Sequence, residues 1–267
     1  MGSLDVGVRR GGLGNTSRPD AWWAYPSAVF LGLTGFVVYS TWAALQGNYF
    51  YFHNYLSPFY SPLLFWSHGG IRSWFGAPPH WLVNVSPALL ILWAPGGFRL
   101  SCYYYRGAYY KSHWADPPAC AVGEPRLRYR GERSFPLILQ NVHRYFMYLA
   151  VLFIFILGKD AWEAMWFRAP GGHGREFGIG VGTLVLTLNV ILLAGYTFGC
   201  HSLRHLIGGG RDRLSSLPGR ACAYRCVTKL NNRHMAWAWC SLFWVAFSDL
   251  YVRLCAMGIW HDWRILR

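Results

Sequence analysis

Long runs of apolar residues alternate with polar, basic segments along the chain. A membrane-spanning helix needs about 20 consecutive apolar residues to cross roughly 30 Å of hydrocarbon. Five runs meet that length, so the pattern predicts an all-α integral membrane protein, a bundle of five transmembrane helices. The predicted spans cover residues 26–45, 81–102, 135–157, 179–200 and 235–260.

The second predicted span, residues 81–102, differs from the others because proline and glycine interrupt it. Pro87 lies inside it, and Pro95 is followed directly by two glycines. Proline removes a backbone donor, and within a membrane the freed carbonyl needs another partner. The sequence therefore predicts a kink in this span.

The segments between the spans set the predicted orientation. Residues 1–25 are polar and glycine-rich, lack the apolar core of a secretory signal, and are expected to form a cytoplasmic arm. With the N-terminus inside, the inner segments hold 17 Lys and Arg residues and the outer segments hold 7. Because cytoplasmic loops carry the excess of Lys and Arg, we expect an N-in, C-out membrane domain over residues 26–260 and an outer tail over 261–267.

Composition favours a membrane protein over a soluble one. Apolar residues make up 54% of the 267 residues and charged residues only 13%, against roughly 25% charged in a soluble domain. The net charge of +14 suits either nucleic acid or a membrane surface. The 15 Trp, 17 Tyr and 17 Phe residues favour the membrane, since aromatic side chains form belts at its interfaces. The same apolar content excludes intrinsic disorder.

Histidines and cysteines collect at the inner ends of the predicted spans. Ionisable groups at membrane depth are costly and are usually functional, and His201 and His205, four residues apart, share one helix face. Structural disulfides are not expected on the inner side, which leaves metal ligation as the better-motivated role for the thiols. The candidate ligands are Cys102, Cys120, His143, Cys200, His201, His205 and His234.

Three kinds of metal site remain open for these side chains, beside simple packing and hydrogen bonding. A haem b with two axial histidines could use His143 with His201 or His234. A zinc site would accept the same ligands, and a Rieske-type [2Fe–2S] cluster needs two cysteines and two histidines. Two haems are not expected, because the spans hold no histidine in their outer halves for a second pair.

Several motifs together resemble a known family. They are NYLSPFYSP, CYYYRGAYYKSHW, PPACAV, FPLILQNVHRYF and CHSLRH. This combination resembles the membrane-anchor subunit of mycobacterial-type succinate dehydrogenases, over about residues 26 to 255. The resemblance implies a multi-pass subunit of respiratory complex II in the bacterial inner (plasma) membrane. It also implies a flavoprotein subunit and an iron–sulfur subunit as partners on the inner face.

The resemblance implies a cofactor as well. In this family the anchor is thought to carry a membrane-embedded Rieske-type [2Fe–2S] cluster that passes electrons to quinone, and the ligands would be four of the seven candidates. Succinate and flavin chemistry are left to the soluble subunits, and the chain itself lacks a dinucleotide-binding fingerprint. Polar residues beside His143 and one tryptophan are expected to line a quinone pocket, with interhelical hydrogen bonding as the alternative. These residues are Gln140, Asn141, Arg144, Tyr145 and Trp237.

A transporter or a purely structural anchor is the competing class of function. Asp249 lies well inside a predicted span, and Arg253 follows four residues later. That spacing indicates an intrahelical ion pair rather than a substrate site. A transporter would be expected to show repeated halves, and no internal repeat is evident.

Overall fold

The computed structural model describes residues 12–67, 71, 73–125, 137–169, 174–209 and 218–266. These residues are mostly helical, with a few very short strands. In chain order the elements are α1 (Ala24–Gln46), β1 (Tyr51–Phe52), β2 (Tyr55–Leu56), α2 (Trp93–Ser101), α3 (Tyr103–His113), α4 (His143–Glu163), β3 (Trp166–Arg168), β4 (Arg175–Phe177), β5 (Ile179–Gly180), α5 (Val181–Phe198), α6 (His201–Gly208), α7 (Pro218–Asn231), α8 (His234–Ala256) and β6 (Arg264–Leu266).

Four of the described helices, α1, α4, α5 and α8, are long and apolar enough to cross a membrane. They correspond to the first, third, fourth and fifth predicted spans. The third differs most in its bounds, because a 3-10 helix over Leu137–Val142 precedes α4. His143 is therefore the first residue of α4, whereas the predicted span begins at residue 135.

The second predicted span does not form one long helix, so the count of five membrane helices is not confirmed. Residues 81–102 instead contain 3-10 turns at His80–Leu82 and Pro87–Leu90, followed by the nine-residue helix α2. Pro87 begins the second turn, where its missing donor is tolerated. Proline thus divides this segment into short pieces, where the sequence predicted a kink.

In the described part of the chain, three two-stranded antiparallel ribbons join the helices, although the sequence predicted an all-α protein. They pair β1 with β2, β3 with β4, and β5 with β6. Strands of two or three residues are too short to show the alternation that identifies a strand in sequence. The β5–β6 ribbon fixes the C-terminal segment beside the start of α5.

The chain divides into two compact units. The first contains Met1–Gly35 and Leu100–Asn141, and the second contains Phe36–Arg99 and Val142–Arg267. In the second unit α5 packs against both α4 and α8. Buried side chains from β2, α4, β3, α5 and α8 form one of its cores, which contains Tyr55, Ala161, Ala164, Phe167, Leu186 and Val252.

Hydrogen bonds around a buried ion pair of α8 join this helix to the end of α1. Arg253 Nε lies 3.3 Å from Asp249 Oδ2, and neither side chain is more than 1% exposed, which confirms the predicted intrahelical pair. Tyr39 donates a hydrogen bond to Asp249 at 2.6 Å, and Ser57 donates a second. Arg253 donates to two backbone carbonyls at and just beyond the C-terminal end of α1. Because a helix C-terminus is electronegative, this cation stabilises it. We call this network the Asp249–Arg253 clamp.

Candidate functional site

Three helix ends bring imidazole and thiol groups to one end of the second unit. α4 begins at His143, α8 begins at His234, and α5 ends just before Cys200 and α6. α5 runs antiparallel to both of its neighbours, so its C-terminal end meets their N-terminal ends. We call the group formed by His143, Cys200, His201, His205 and His234 the histidine layer.

The closest pair in the histidine layer joins two helices. His143 Nε2 lies 3.1 Å from Cys200 Sγ. His143 is 8% exposed and Cys200 is 1% exposed. The imidazole also stacks on the ring of Phe98, with centroids 4.7 Å apart and planes within 8°. Packing therefore holds the imidazole in one orientation beside the thiol.

Aromatic rings connect His143 to His234. Phe98 contacts Tyr196 edge-on at 5.2 Å between centroids, and Tyr196 stacks on His234 at 5.1 Å. The Arg99 guanidinium lies 4.7 Å above the Tyr196 ring. It also donates hydrogen bonds to the Ser241 hydroxyl and to a carbonyl of α8. A fixed positive charge thus lies beside the histidine layer.

His201 and His205 form a second pair, on α6. Their Nε2 atoms are 2.9 Å apart, and both residues are exposed. Partial burial lowers the pKa of His201, and the neighbouring His205 and Arg204 lower it further. A low pKa favours neutral imidazole, which is the form that binds a metal.

The other two candidate ligands belong to the first unit. Cys102 is 3% exposed and immediately precedes α3, whereas Cys120 is exposed. Arg18 donates a hydrogen bond to the Cys120 carbonyl at 2.8 Å. Among the described residues, which include all seven candidates, no three His, Cys, Asp or Glu side chains converge on a common metal position.

The five predicted quinone-lining residues lie in three elements, the 3-10 helix before α4, α4 itself and α8. Gln140 and Asn141 lie in the 3-10 helix before α4, and Asn141 is exposed. Arg144 and Tyr145 are exposed on α4. Trp237 is different, because its ring packs closely over the backbone of Gly195 on α5. Its Nε1 is buried without a hydrogen-bond partner in the described part of the chain.

The comparisons with known proteins identify the family. The family model described as "Actinobacterial succinate dehydrogenase subunit SdhC" matches residues 24–258. This chain belongs to that family. Among solved structures, the Mycobacterium smegmatis Sdh1 complex in the apo form contains a similar chain, with 42% identity and a TM-score of 0.84 over 97% of both chains. A search of curated proteins finds no match.

Membership of the SdhC family makes this chain a membrane-anchor subunit of succinate dehydrogenase, as the sequence motifs predicted. The other subunits of that complex are therefore its partners. Sequence reasoning missed Phe98, Arg99 and Tyr196. Arg99 lies within the predicted second span with no motif that marks it, and the two aromatic residues carry no local signal that separates them from the many other rings in the chain.

The donor chemistry of this SdhC-type chain fits a mixed thiolate and imidazole centre. Two imidazoles that bind one tetrahedral metal at about 2.1 Å each have nitrogens about 3.4 Å apart. The Nε2 atoms of His201 and His205 are 2.9 Å apart, a hydrogen-bond distance, so the two rings would separate slightly on binding a shared metal. Cys200 contacts His143 and is the candidate thiol in the second unit. The arrangement does not single out four ligands.

Proposed function

We propose that this chain carries electrons as well as anchoring the complex. Electrons from the soluble iron–sulfur subunit would pass through a Rieske-type [2Fe–2S] cluster, held by this chain, to quinone. The observation that carries the proposal is the His143–Cys200 contact, which joins two helix ends in the histidine layer. The contact is a hydrogen bond between a buried thiol and a buried imidazole, and the same two groups are of the types that ligate a Rieske-type cluster.

The proposed ligands come from the seven candidates, with His201 and His205 as an imidazole pair that a small movement would bring onto one metal. A cluster with imidazole ligands has a higher potential than one held by four cysteines, so it would accept electrons from the soluble subunit. The chain's own residues orient the ligands. Phe98 fixes the plane of the His143 ring, and Arg99 places a positive charge beside Tyr196 and α8.

The quinone would lie against Trp237. Its buried Nε1–H group is available to donate a hydrogen bond to a quinone oxygen. The predicted contacts of quinone with Gln140, Asn141, Arg144 and Tyr145 remain part of the proposal. Arg144 and Tyr145 can contact the quinone only if it lies on the exposed face of α4.

The proposed setting is a complex II in the bacterial inner (plasma) membrane. The flavoprotein and iron–sulfur subunits would dock on the inner face, where the basic segments 99–134 and 204–233 are expected to lie. The N-in, C-out orientation belongs to the same proposal. Residues 126–136 and 210–217 of those segments lie outside the described residues.

Haem b is the alternative cofactor for the same layer. It requires two imidazoles on opposite sides of a macrocycle. The rings of Phe98 and Tyr196 connect His143 to His234, which disfavours a haem held by that pair. An α-band in the optical spectrum of the reduced complex would nonetheless establish haem.

The test replaces His143 and His201 by alanine in the purified complex. We expect quinone reduction to fall by about 100-fold or more, since changes even outside the ligand set cost 10-fold to 100-fold. The paramagnetic signal attributed to the membrane cluster should disappear, and iron content should fall. Reduction of soluble dyes by succinate should persist, because the flavin is in another subunit. The matched control replaces His53 and His80, two exposed histidines outside the layer.

Three outcomes would contradict the proposal. Unchanged quinone reduction together with an unchanged metal signal would exclude these histidines as ligands. An intact metal signal with loss of the flavoprotein on purification would make them structural residues of a passive anchor. Equal losses in the control variant would mean that histidine removal acts through assembly.

A further inference from the structure

A large cavity lies at the end of α4 opposite His143. Its volume is about 1380 Å³, and its lining includes Lys159 and Glu163 from the last turns of α4 together with β3 and β4. Sixteen residues separate His143 from Lys159, which places the cavity roughly 24 Å along the helix axis from the histidine layer. It is therefore a separate site, at the depth where a membrane-spanning helix ends.

Two arginines form one wall of this cavity. Arg168 on β3 and Arg175 on β4 are directly opposite each other in the antiparallel ribbon, and both line the cavity. Side chains directly opposite in such a ribbon have Cβ atoms about 5 Å apart, and like charges there repel each other. The ribbon therefore holds a pair of cations in an arrangement that a shared anion would stabilise.

Carboxylates around the cavity are engaged by other groups. Glu163 pairs with Lys159 at 2.7 Å, and Ser61 donates a hydrogen bond to Asp160. Asp262 accepts hydrogen bonds from two tyrosine hydroxyls and a backbone N–H. Within the residues that the structure describes, no carboxylate forms an ion pair with Arg168 or Arg175.

Arg168 and Arg175 lie close enough to Tyr51 to affect its hydroxyl electrostatically. Burial raises the pKa of the Tyr51 hydroxyl, and Arg168 and Arg175 together oppose that rise. Tyr51 also lines the cavity. Both arginine side chains are exposed and border the cavity, so their charges are accessible to a ligand that enters it.

Aromatic side chains beside the arginines indicate the membrane interface. Trp166 contacts Trp162 at 6.0 Å and Phe177 at 5.8 Å between ring centroids. Trp166 and Phe177 are opposite each other on the same ribbon face as the two arginines. Tryptophan is enriched at the level of lipid headgroups, and Arg binds phosphate through two parallel hydrogen bonds.

We propose that Arg168 and Arg175 bind the phosphate headgroup of an anionic phospholipid in this cavity. The site is independent of the redox function proposed for the histidine layer. A lipid is favoured over a soluble anion because the arginines adjoin the end of a membrane-spanning helix and a cluster of interfacial aromatic rings.

The test uses the intact complex in nanodiscs that contain a photoactivatable phosphatidylglycerol. Cross-links should map by mass spectrometry to peptides containing Trp166 or Phe177. Unlabelled phosphatidylglycerol should compete for them, whereas phosphatidylcholine and inorganic phosphate should not. Arg168→Gln with Arg175→Gln should weaken labelling about 30-fold, since each basic residue near a membrane surface contributes about 5-fold.

Two further variants make the result specific. Arg168→Lys with Arg175→Lys should retain part of the labelling, because it retains both charges but loses the paired hydrogen bonds of each guanidinium. Lys111→Gln with Arg225→Gln removes two exposed cations outside the cavity lining and should leave the cross-link unchanged. Equal competition by phosphatidylcholine, or labelling that survives the double glutamine variant, would overturn the proposal. Competition by inorganic phosphate would assign the site to a free anion and would also overturn it.

Discussion

The Asp249–Arg253 clamp and the histidine layer both place ionisable side chains within or at the ends of membrane helices. They differ in how far their polar groups are buried and hydrogen-bonded within the protein. In the clamp both charged side chains are at most 1% exposed and are bonded to each other and to neighbouring groups. In the histidine layer His201 and His205 are exposed, and the Nε1 of nearby Trp237 has no hydrogen-bond partner among the described residues. A fully buried and hydrogen-bonded network holds helices together, whereas a partly exposed group of polar side chains can still bind a ligand.

The largest expected effect comes from opening the clamp. Replacing Asp249 by Ala leaves the Arg253 guanidinium buried without its carboxylate. Removing one partner of a buried ion pair costs about 3–5 kcal/mol, so we expect a large loss of thermal stability of the complex. Thermal unfolding of the purified complex measures it. Asp249→Leu combined with Arg253→Met should recover part of the loss, and a double variant as unstable as the single one would show that the charges are required.

A medium effect is expected at Gly195, where α5 contacts α8 near the histidine layer. A Cβ at Gly195 would lie 2.5 Å from the Trp237 ring, so Gly195→Ala must displace the indole. Overpacking costs about 1–3 kcal/mol, and quinone reduction should fall while the metal signal remains. Gly158→Ala is the matched control, because no atom lies within 4 Å of its added Cβ. Equal activity in the two variants would remove Trp237 from the quinone site.

A smaller effect is expected from the charge beside the layer. Arg99→Met removes a positive charge that would stabilise the reduced, more negative form of a nearby centre. The reduction potential should fall by tens of millivolts, on the order of 1 kcal/mol. Redox titration of the membrane centre measures the shift. Arg99→Lys should restore most of it, and an unchanged potential in Arg99→Met would place the centre away from this residue.

The smallest effect is expected at an exposed pair with the same spacing as the clamp. Lys159 and Glu163 are also four residues apart, but their side chains are 58% and 48% exposed. Exposed pairs of this kind contribute about 0.5 kcal/mol or less, so Lys159→Gln should barely change the unfolding temperature. A loss comparable to that of Asp249→Ala would mean that burial does not explain the difference between the two pairs.

Much of this outcome could be predicted from sequence. Apolar length identified the four long helices, since crossing a membrane sets a minimum run of apolar residues. The position of His234 at the start of α8 and the i, i+4 pair of Asp249 and Arg253 also follow from local spacing. The break at residues 81–102 was underestimated, because proline is compatible with a kinked helix as well as with separate turns.

The sequence by itself determined which segments are apolar enough to span a membrane, that His143, Cys200 and His234 lie near span ends, and the family. Only the tertiary structure decided that His143 meets Cys200, that Phe98 and Tyr196 connect two imidazoles, and that Arg168 is opposite Arg175. The reason is physical. Hydrophobic periodicity reports which face of an element is buried, but contacts between residues distant in sequence depend on how those faces pack against each other.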